Sequence, residues 1–322
     1  MTVLGALLAV HSSTPSLTLF TLDSAPRLRL NESLILKAIR DFAYTLWLFT
    51  YSDLKTVFFP TLIFGTAAAP TSSAAQIVPR PVWIWLHLLT FCLSNQCLSP
   101  EEDAANKPWR PIAAGRITTE NARILRWAML PVCLFVSAHY GVLLPSVTLA
   151  LATLAHNELR LDSGWLARNV CNAVGYASFN AGATYAACAA GCDWKATSVA
   201  AQVLNALVIL TTIQAQDFQD IEGDQLTGRW TLPIAFPRSS RWAMPVLLTV
   251  WSVFLAAYWR ASPVHTAILV VLGAIPGLRF ALGDDASADR TSYRLYNLRQ
   301  RLEEMDFLAA CREGLPYYCA QV

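Results

Sequence analysis

Three aspartates, Asp217, Asp220 and Asp224, stand at offsets 0, 3 and 7 in the stretch Gln216-Asp217-Phe218-Gln219-Asp220-Ile221-Glu222-Gly223-Asp224. On a helix those offsets share one face. Residues 196–213 before them are almost all apolar, so three carboxylates end a greasy helix beside the bilayer surface. That much like charge on one face is costly unless a cation binds there. Hard carboxylate oxygens suit Mg²⁺, which keeps some of its waters and shares substrate phosphates. A solvated acidic helix end is the plainer reading, but a second polar cluster ends another apolar helix and speaks against it.

That second cluster is Asn95-Gln96-Cys97-Leu98-Ser99-Pro100-Glu101-Glu102-Asp103. Asn95, Ser99 and Asp103 are spaced i, i+4, i+8, which on a helix is one stripe offering an amide oxygen, a hydroxyl and a carboxylate. These are hard donors for a second cation, although Pro100 makes the helix irregular here. Lys107 and Arg110 follow in Asn106-Lys107-Pro108-Trp109-Arg110-Pro111, Arg160 ends a later apolar run, and Arg229 follows the triple-aspartate stretch. Each alone reads as a basic anchor at a membrane surface. Around two acidic motifs they read together as a diphosphate pocket, in which metal ions and Arg or Lys stabilise charge on a departing diphosphate. Asp284, Asp285 and Asp289 are a decoy: the third acid is one residue too far for Asp-Asp-x-x-Asp, and the small residues between them suggest a solvated turn.

The elements that position these residues are membrane helices. The chain has 322 residues, of which 55% are hydrophobic and 14% charged. Its mean hydropathy is +0.39. A soluble domain carries about 25% charged residues. Apolar runs over 42–69, 82–98, 123–140, 143–157, 165–190, 196–217, 242–259 and 264–282 predict spanning helices, with 291–310 a weaker, more polar ninth. Within the first run Asp53 and Lys55 should face the interior. The fold class expected is all-α, an integral membrane bundle of about nine helices around a central cavity. Residues 1–40 form a cytosolic lead-in, 41–312 the bundle and 313–322 a short tail. The eight cysteines carry no metal-ligand spacing with the five scattered histidines and read as small core residues.

At this point the chain resembles the UbiA superfamily of membrane prenyltransferases, over roughly residues 40–310. The marks are Asn95…Asp103, Arg110-Pro111 with Gly115 downstream, and Asp217-x-x-Asp220-x-x-x-Asp224 with Thr231-Leu232-Pro233. The family's first motif commonly reads Asn-Asp-x-x-Asp-x-x-x-Asp; here Gln96 and Ser99 stand in place of two aspartates. What remains, Asn95-x-x-x-Ser99-x-x-x-Asp103, looks like the Asn/Ser/Glu metal triad of soluble class I terpene cyclases, with Asp for Glu. The wider pattern looks like the fungal membrane-bound terpene cyclases of the superfamily. That resemblance implies nine helices around a cavity, Mg²⁺, a polyprenyl diphosphate substrate and an endoplasmic reticulum membrane.

A cyclase must hold a hydrocarbon cation away from water, and aromatic faces do so by cation–π attraction. Phe91 lies one turn from Asn95, and Asn172, Tyr176 and Phe179 share a face at i, i+4, i+7. These four are the candidates for the substrate cavity. The reading is a Mg²⁺-dependent cyclase of farnesyl or geranylgeranyl diphosphate, with Asn95, Asp103, Asp217 and Asp220 catalytic. Asn95, Ser99, Asp103, Asp217, Asp220 and Asp224 hold metal, and Lys107, Arg110, Arg160 and Arg229 hold diphosphate. The partners implied are that substrate and the lipid bilayer, with no nucleic acid and no protein. An intermolecular prenyltransferase with an aromatic or quinone-precursor acceptor is the close alternative. A carrier using the acidic faces for ion coupling is the distant one.

Charge placement sets the orientation. With the N-terminus in the cytosol, only Arg80, Lys195, Arg260 and Arg312 of the 24 basic residues fall on the opposite side, with Lys55 and Arg279 inside helices. The positive-inside rule therefore places both acidic motifs on the cytosolic side. Asn31-Glu32-Ser33 is a glycosylation sequon. It should stay unmodified in a eukaryotic host, and a glycan found on Asn31 by glycosidase-sensitive gel shift would overturn this orientation.

Overall fold

The computed structural model describes residues 27–69, 78–98, 100–186, 196–283 and 285–312. Every named element among them is helical. In chain order they are α1 (Arg27–Tyr51), a π-helical turn (Leu54–Phe58), α2 (Phe59–Ala68), α3 (Pro79–Gln96), α4 (Pro100–Asn106), α5 (Thr119–His139) and α6 (Leu143–Thr153). A second π-helical turn (Leu154–Glu158) and a 3₁₀ turn (Leu161–Ser163) lead into α7 (Trp165–Tyr185). There follow α8 (Ala196–Thr212), a 3₁₀ helix (Ile213–Asp220), α9 (Ile221–Leu226), α10 (Leu232–Ala235), α11 (Pro237–Tyr258), α12 (Pro263–Leu282) and α13 (Ala286–Arg312).

The apolar periods therefore located the elements well, with differences that have local causes. The first run is interrupted: α1 ends at Tyr51, and the backbone passes through a π-helical turn before α2, whose second residue is Pro60. Proline fits a first turn because its missing N–H is an orphan there anyway. Asp53 is half-buried and Lys55 exposed. α1 also begins at Arg27, inside the stretch expected as a lead-in. The tail 313–322 lies outside the described residues, as does Ser99. Among the described residues, three helical stretches, Ala196–Leu226, Pro237–Tyr258 and Pro263–Leu282, are long and apolar enough to cross a membrane.

The chain divides into two compact units, one of Met1–Ser52 with Leu89–Met129, the other of Asp53–Leu88 with Leu130–Val322. The first joins α1, the end of α3, α4 and the start of α5. Polar ties within it include the Gln96 amide donating to the Phe49 carbonyl at 2.9 Å and the Arg116 guanidinium, which donates to Thr45 Oγ1 at 3.2 Å and lies 4.9 Å over the Tyr44 ring. In the second unit α11 packs along α12, α12 along α13, α7 against α2, α6 and α8, and α13 also against α2 and the 3₁₀ helix. Its core near that helix is Ala215, Phe218, Met244, Leu248, Phe280 and Tyr296.

The polar ninth segment is a packed helix. Asp289, Ser292, Tyr296 and Arg299 of α13 are all buried. Their spacing of three to four residues puts them on one face. Arg299 donates to Ser252 Oγ and the Leu248 carbonyl, and the Tyr296 hydroxyl meets Thr212 Oγ1 at 2.8 Å. The expectation of a solvated turn at 284–289 is corrected accordingly. Asp285 Oδ1 accepts from the Ala288 N–H at the start of α13, and Asp289 is buried against Arg241. Asp284 lies outside the described residues.

Close approach among α2, α3 and α7 in the second unit depends on two glycines. A Cβ on Gly65 would collide with the Ala183 backbone, and one on Gly182 with the Trp83 indole. That indole is fully buried, stacks on His87 and donates to Ser137 Oγ at 2.8 Å, so it cannot swing aside cheaply. Gly182→Ala should therefore destabilise the protein by about 1–3 kcal/mol, the usual scale of overpacking. Gly175 of the same helix meets nothing within 4 Å, and Gly175→Ala should leave stability unchanged or slightly raised. Thermal unfolding of the two variants in the same detergent tests the difference, and equal melting temperatures would refute this packing account.

Candidate active site

The second acidic motif begins where α8 stops. Thr211 and Thr212 close that helix, and their hydroxyls bond back to the carbonyls of Leu207 and Val208. Such back-bonding competes with the helix ladder. From Ile213 to Asp220 the backbone is a 3₁₀ helix. Its three-residue turn places Gln214, Asp217 and Asp220 on one ridge. An α-turn then carries that ridge to Asp224, four residues on. The expected single face of acids is thus present, but a tightened helix makes it.

Burial differs along the ridge. Asp217 and Asp224 are each 1% exposed, whereas Asp220 is exposed. Burying a carboxylate without a partner costs several kcal/mol, so each buried one needs a cation. Asp217 Oδ1 accepts from Arg168 Nη2 at 2.9 Å and Nε at 3.2 Å. Asp224 Oδ1 accepts from Arg229 Nη1 at 3.2 Å, and Arg229 Nε donates to Asp162 Oδ2 at 3.0 Å. The local backbone makes this possible. Gly228 has φ +71°, a value glycine adopts without strain. The chain turns there, so that the Arg229 N–H reaches the Asp224 carbonyl at 2.8 Å and the Trp230 N–H reaches the Ser163 carbonyl. Asp162, on the 3₁₀ turn before α7, is thereby tied to the motif.

The other oxygens stay open. Asp217 Oδ2, Asp224 Oδ2 and Gln214 Oε1 are buried with no hydrogen-bond partner. A buried acceptor left unmet costs roughly 1–3 kcal/mol. Three such oxygens in one short segment suit a hard cation. Among the described residues no three His, Cys, Asp or Glu side chains converge to hold an ion by themselves.

The first motif departs from the expected stripe. α3 ends at Gln96 and α4 starts at Pro100, so Asn95 and Asp103 lie on different helices. Pro100 has no N–H to continue the ladder. Asn95 is half-buried. Asp103 is buried and accepts both carboxylate contacts from Arg110 Nη1, at 2.7 and 3.0 Å. Lys107 follows at half burial, its N–H on the Asp103 carbonyl. An acid expected to hold metal and an arginine expected to hold diphosphate are therefore paired with each other.

The remaining candidates are dispersed. Arg160 is exposed in a left-handed conformation with φ 53°, and its neighbour Asp162 is the residue that meets Arg229. Tyr176 packs on Ala173, Ile209 and Ile213, and its hydroxyl donates to the Thr56 carbonyl at 3.3 Å. Asn172 is half-buried with Nδ2 lacking a partner. Phe179 is buried edge-on to Trp83, and Phe91 is half-buried. Sequence reasoning missed Arg168, Asp162 and Gln214. Arg168 had a signal, for it precedes Asn172 and Tyr176 at i, i+4, i+8 on the same stripe. Asp162, brought in by a turn, had none.

An all-helical membrane protein with carboxylates and arginines gathered at the end of an apolar helix is the class these features define. The chain belongs to the UbiA prenyltransferase family, whose model matches residues 57–298. It is 29% identical to the fumagillin β-trans-bergamotene synthase of Aspergillus fumigatus, over 79% of this chain and 88% of that protein. It is 30% identical to a diterpene cyclase of Hericium erinaceus, over 77% of this chain and 82% of that one. Among solved structures it is similar to a UbiA homologue from Archaeoglobus fulgidus bound to GPP and Mg²⁺, with TM-score 0.60 and 15% identity, over 83% of this chain and 99% of that one.

Gln96 takes a different role from its neighbour Asn95. Its amide donates to the Phe49 carbonyl from a fully buried position. Gln96→Ala should lower stability by about 1–2 kcal/mol and leave the Mg²⁺ concentration for half-maximal activity unchanged. Unfolding together with a Mg²⁺ titration checks this, and a shifted Mg²⁺ requirement at unchanged stability would move Gln96 into the site.

Proposed function

We propose that this protein is a membrane terpene cyclase that ionises a linear polyprenyl diphosphate and closes the resulting cation on its own chain. The observation that carries the reading is the second motif: two buried carboxylates, each held at one oxygen by arginine with the other oxygen open. The similarity to terpene synthases and cyclases over more than three quarters of the chain favours cyclisation over transfer to an acceptor.

Asp217, Asp220 and Asp224 would hold Mg²⁺ at one motif, and Asn95, Ser99 and Asp103 at the other. When bound, Mg²⁺ supplies charge stabilisation to the departing diphosphate. Arg229, Arg110, Lys107 and Arg160 would bind its oxygens, and Arg168 pairs with Asp217 Oδ1 and aims it. For Arg110 this means sharing or leaving its bond to Asp103. The allylic C–O bond breaks, diphosphate leaves with the electron pair, and an internal double bond attacks the cation. A proton is then lost to the released diphosphate, which gives a hydrocarbon. Phe91, Tyr176 and Phe179 would offer aromatic faces to the cation, and Asn172 would line the cavity beside Tyr176. Farnesyl and geranylgeranyl diphosphate are the candidate substrates. The membrane is that of the endoplasmic reticulum, with both motifs on its cytosolic side, the orientation the basic residues favour.

Purified protein given Mg²⁺ and either diphosphate, with no acceptor, should yield a cyclic hydrocarbon by gas chromatography–mass spectrometry. Asp217→Ala should abolish it, and Asn95→Ala and Asp103→Ala should each cost activity comparably. Retention by Asp217→Ala of more than about a tenth of wild-type turnover, a barrier change under ~1.4 kcal/mol, would remove that residue from the mechanism. Product formed only when an aromatic acceptor is supplied would establish the transferase instead.

A further inference from the structure

The segment that carries Asp217 and Asp220 turns with a period of three, so its side chains stand in separate ridges. One ridge holds Gln214, Asp217 and Asp220. The neighbouring ridge holds Ala215 and Phe218, and both are sunk in the core with Met244, Leu248, Phe280 and Tyr296. Whatever fixes Phe218 therefore fixes the rotation of the acids about the helix axis.

Packing alone would hold the ring, and the Phe280 ring lies 5.1 Å from it. A charge is also placed there. The Arg241 guanidinium lies over the Phe218 ring at 4.8 Å. Its own position is fixed by Asp289, with Nη1 to Oδ1 at 2.8 Å and Nη2 to Oδ2 at 2.7 Å. Nη1 donates as well to the Phe280 carbonyl at 3.0 Å. The Asp289 side chain is 1% exposed. A buried ion pair is weak evidence of stabilisation, because a well-packed apolar replacement is often as stable or more so. What the paired fork does supply is geometry: two parallel bonds fix the guanidinium plane, and the plane fixes the ring.

We propose that Arg241 and Asp289 are positioning residues for the second motif, a brace from α11 and α13 that acts through Phe218 to set the direction of Asp217 and Asp220. The inference rests on reading that motif as the metal–diphosphate site. Neither residue touches substrate in this scheme. Loss of the brace lets the 3₁₀ helix rotate while the fold persists.

The test uses the full chain in detergent, with thermal unfolding measured in the presence and absence of MgCl₂ plus inorganic diphosphate. The Mg²⁺ concentration for half-maximal product formation is measured alongside. Arg241→Met combined with Asp289→Leu removes both charges and leaves none buried alone. That double variant should melt within about 4 °C of the wild type. It should nevertheless lose most of the stabilisation by Mg²⁺ and diphosphate and need about tenfold more Mg²⁺. Arg241→Lys, which keeps the charge without the planar fork, should fall between the two and serves alone if the double variant does not fold. Wild-type stabilisation by Mg²⁺ and diphosphate in these variants would overturn the brace. If the wild type shows no such stabilisation, or Asp217→Asn keeps it in full, the metal–diphosphate reading fails and the brace proposal falls with it.

Discussion

A carboxylate cannot be taken out of water without a counter-charge, and the second motif takes two out. Asp217 and Asp224 are each 1% exposed, and each is met by an arginine, Arg168 from α7 and Arg229 from the turn just after α9. Meeting that requirement dictates much of the local architecture. Arg168 must come in on α7, and the turn at 161–163 must bring Asp162 to the far side of Arg229. The loop after α9 must reverse at Gly228, so that Arg229 returns toward Asp224. Three carboxylates, Asp162, Asp217 and Asp224, face two guanidiniums, so negative charge is in excess even before exposed Asp220 is counted. A site of that balance attracts a divalent cation more strongly than a neutral one would.

The arginines serve two ends that pull in different directions. They make buried acids affordable, and they occupy only one oxygen of each. The second oxygen of Asp217 and of Asp224 is buried with no hydrogen-bond partner. In the first motif the balance differs. There Arg110 reaches both oxygens of Asp103 through a single nitrogen, and the neighbouring Gln96 is spent on the Phe49 carbonyl. The motif that departs from the family's usual acids is also the one whose remaining acid is more fully engaged.

Helix type carries a share of the chemistry. In an α-helix Asp217 and Asp220 would diverge by about 60°, whereas a 3₁₀ turn stacks them. The cost is poorer hydrogen-bond geometry, and the core ridge of Ala215 and Phe218 offsets it by burial. The two π-helical turns sit at similarly placed breaks. The Thr56 carbonyl within one accepts from Tyr176, and the other precedes the turn that delivers Asp162.

The sequence by itself determined the all-helical membrane class, the approximate helix bounds and the location of both acidic motifs. Those follow from local composition and period, which a chain carries wherever it folds. It also exposed the unusual first motif, since Gln96 and Ser99 are legible letter by letter. Only tertiary structure decided which charges meet. Asp289 reads as a solvated acid because its neighbours are small and polar, yet Arg241, 48 residues away, draws it into the core. Arg160 and Asp162 are two positions apart and equally polar, but a left-handed turn exposes the first and delivers the second to Arg229. The change from α to 3₁₀ at Thr212 is likewise invisible to a count of apolar residues. At that point the Thr212 hydroxyl bonds back to the Val208 carbonyl and meets the Tyr296 hydroxyl, 84 residues on. Ion pairs between distant segments are set by where the packed helices bring their ends, and no local pattern in the sequence encodes that meeting.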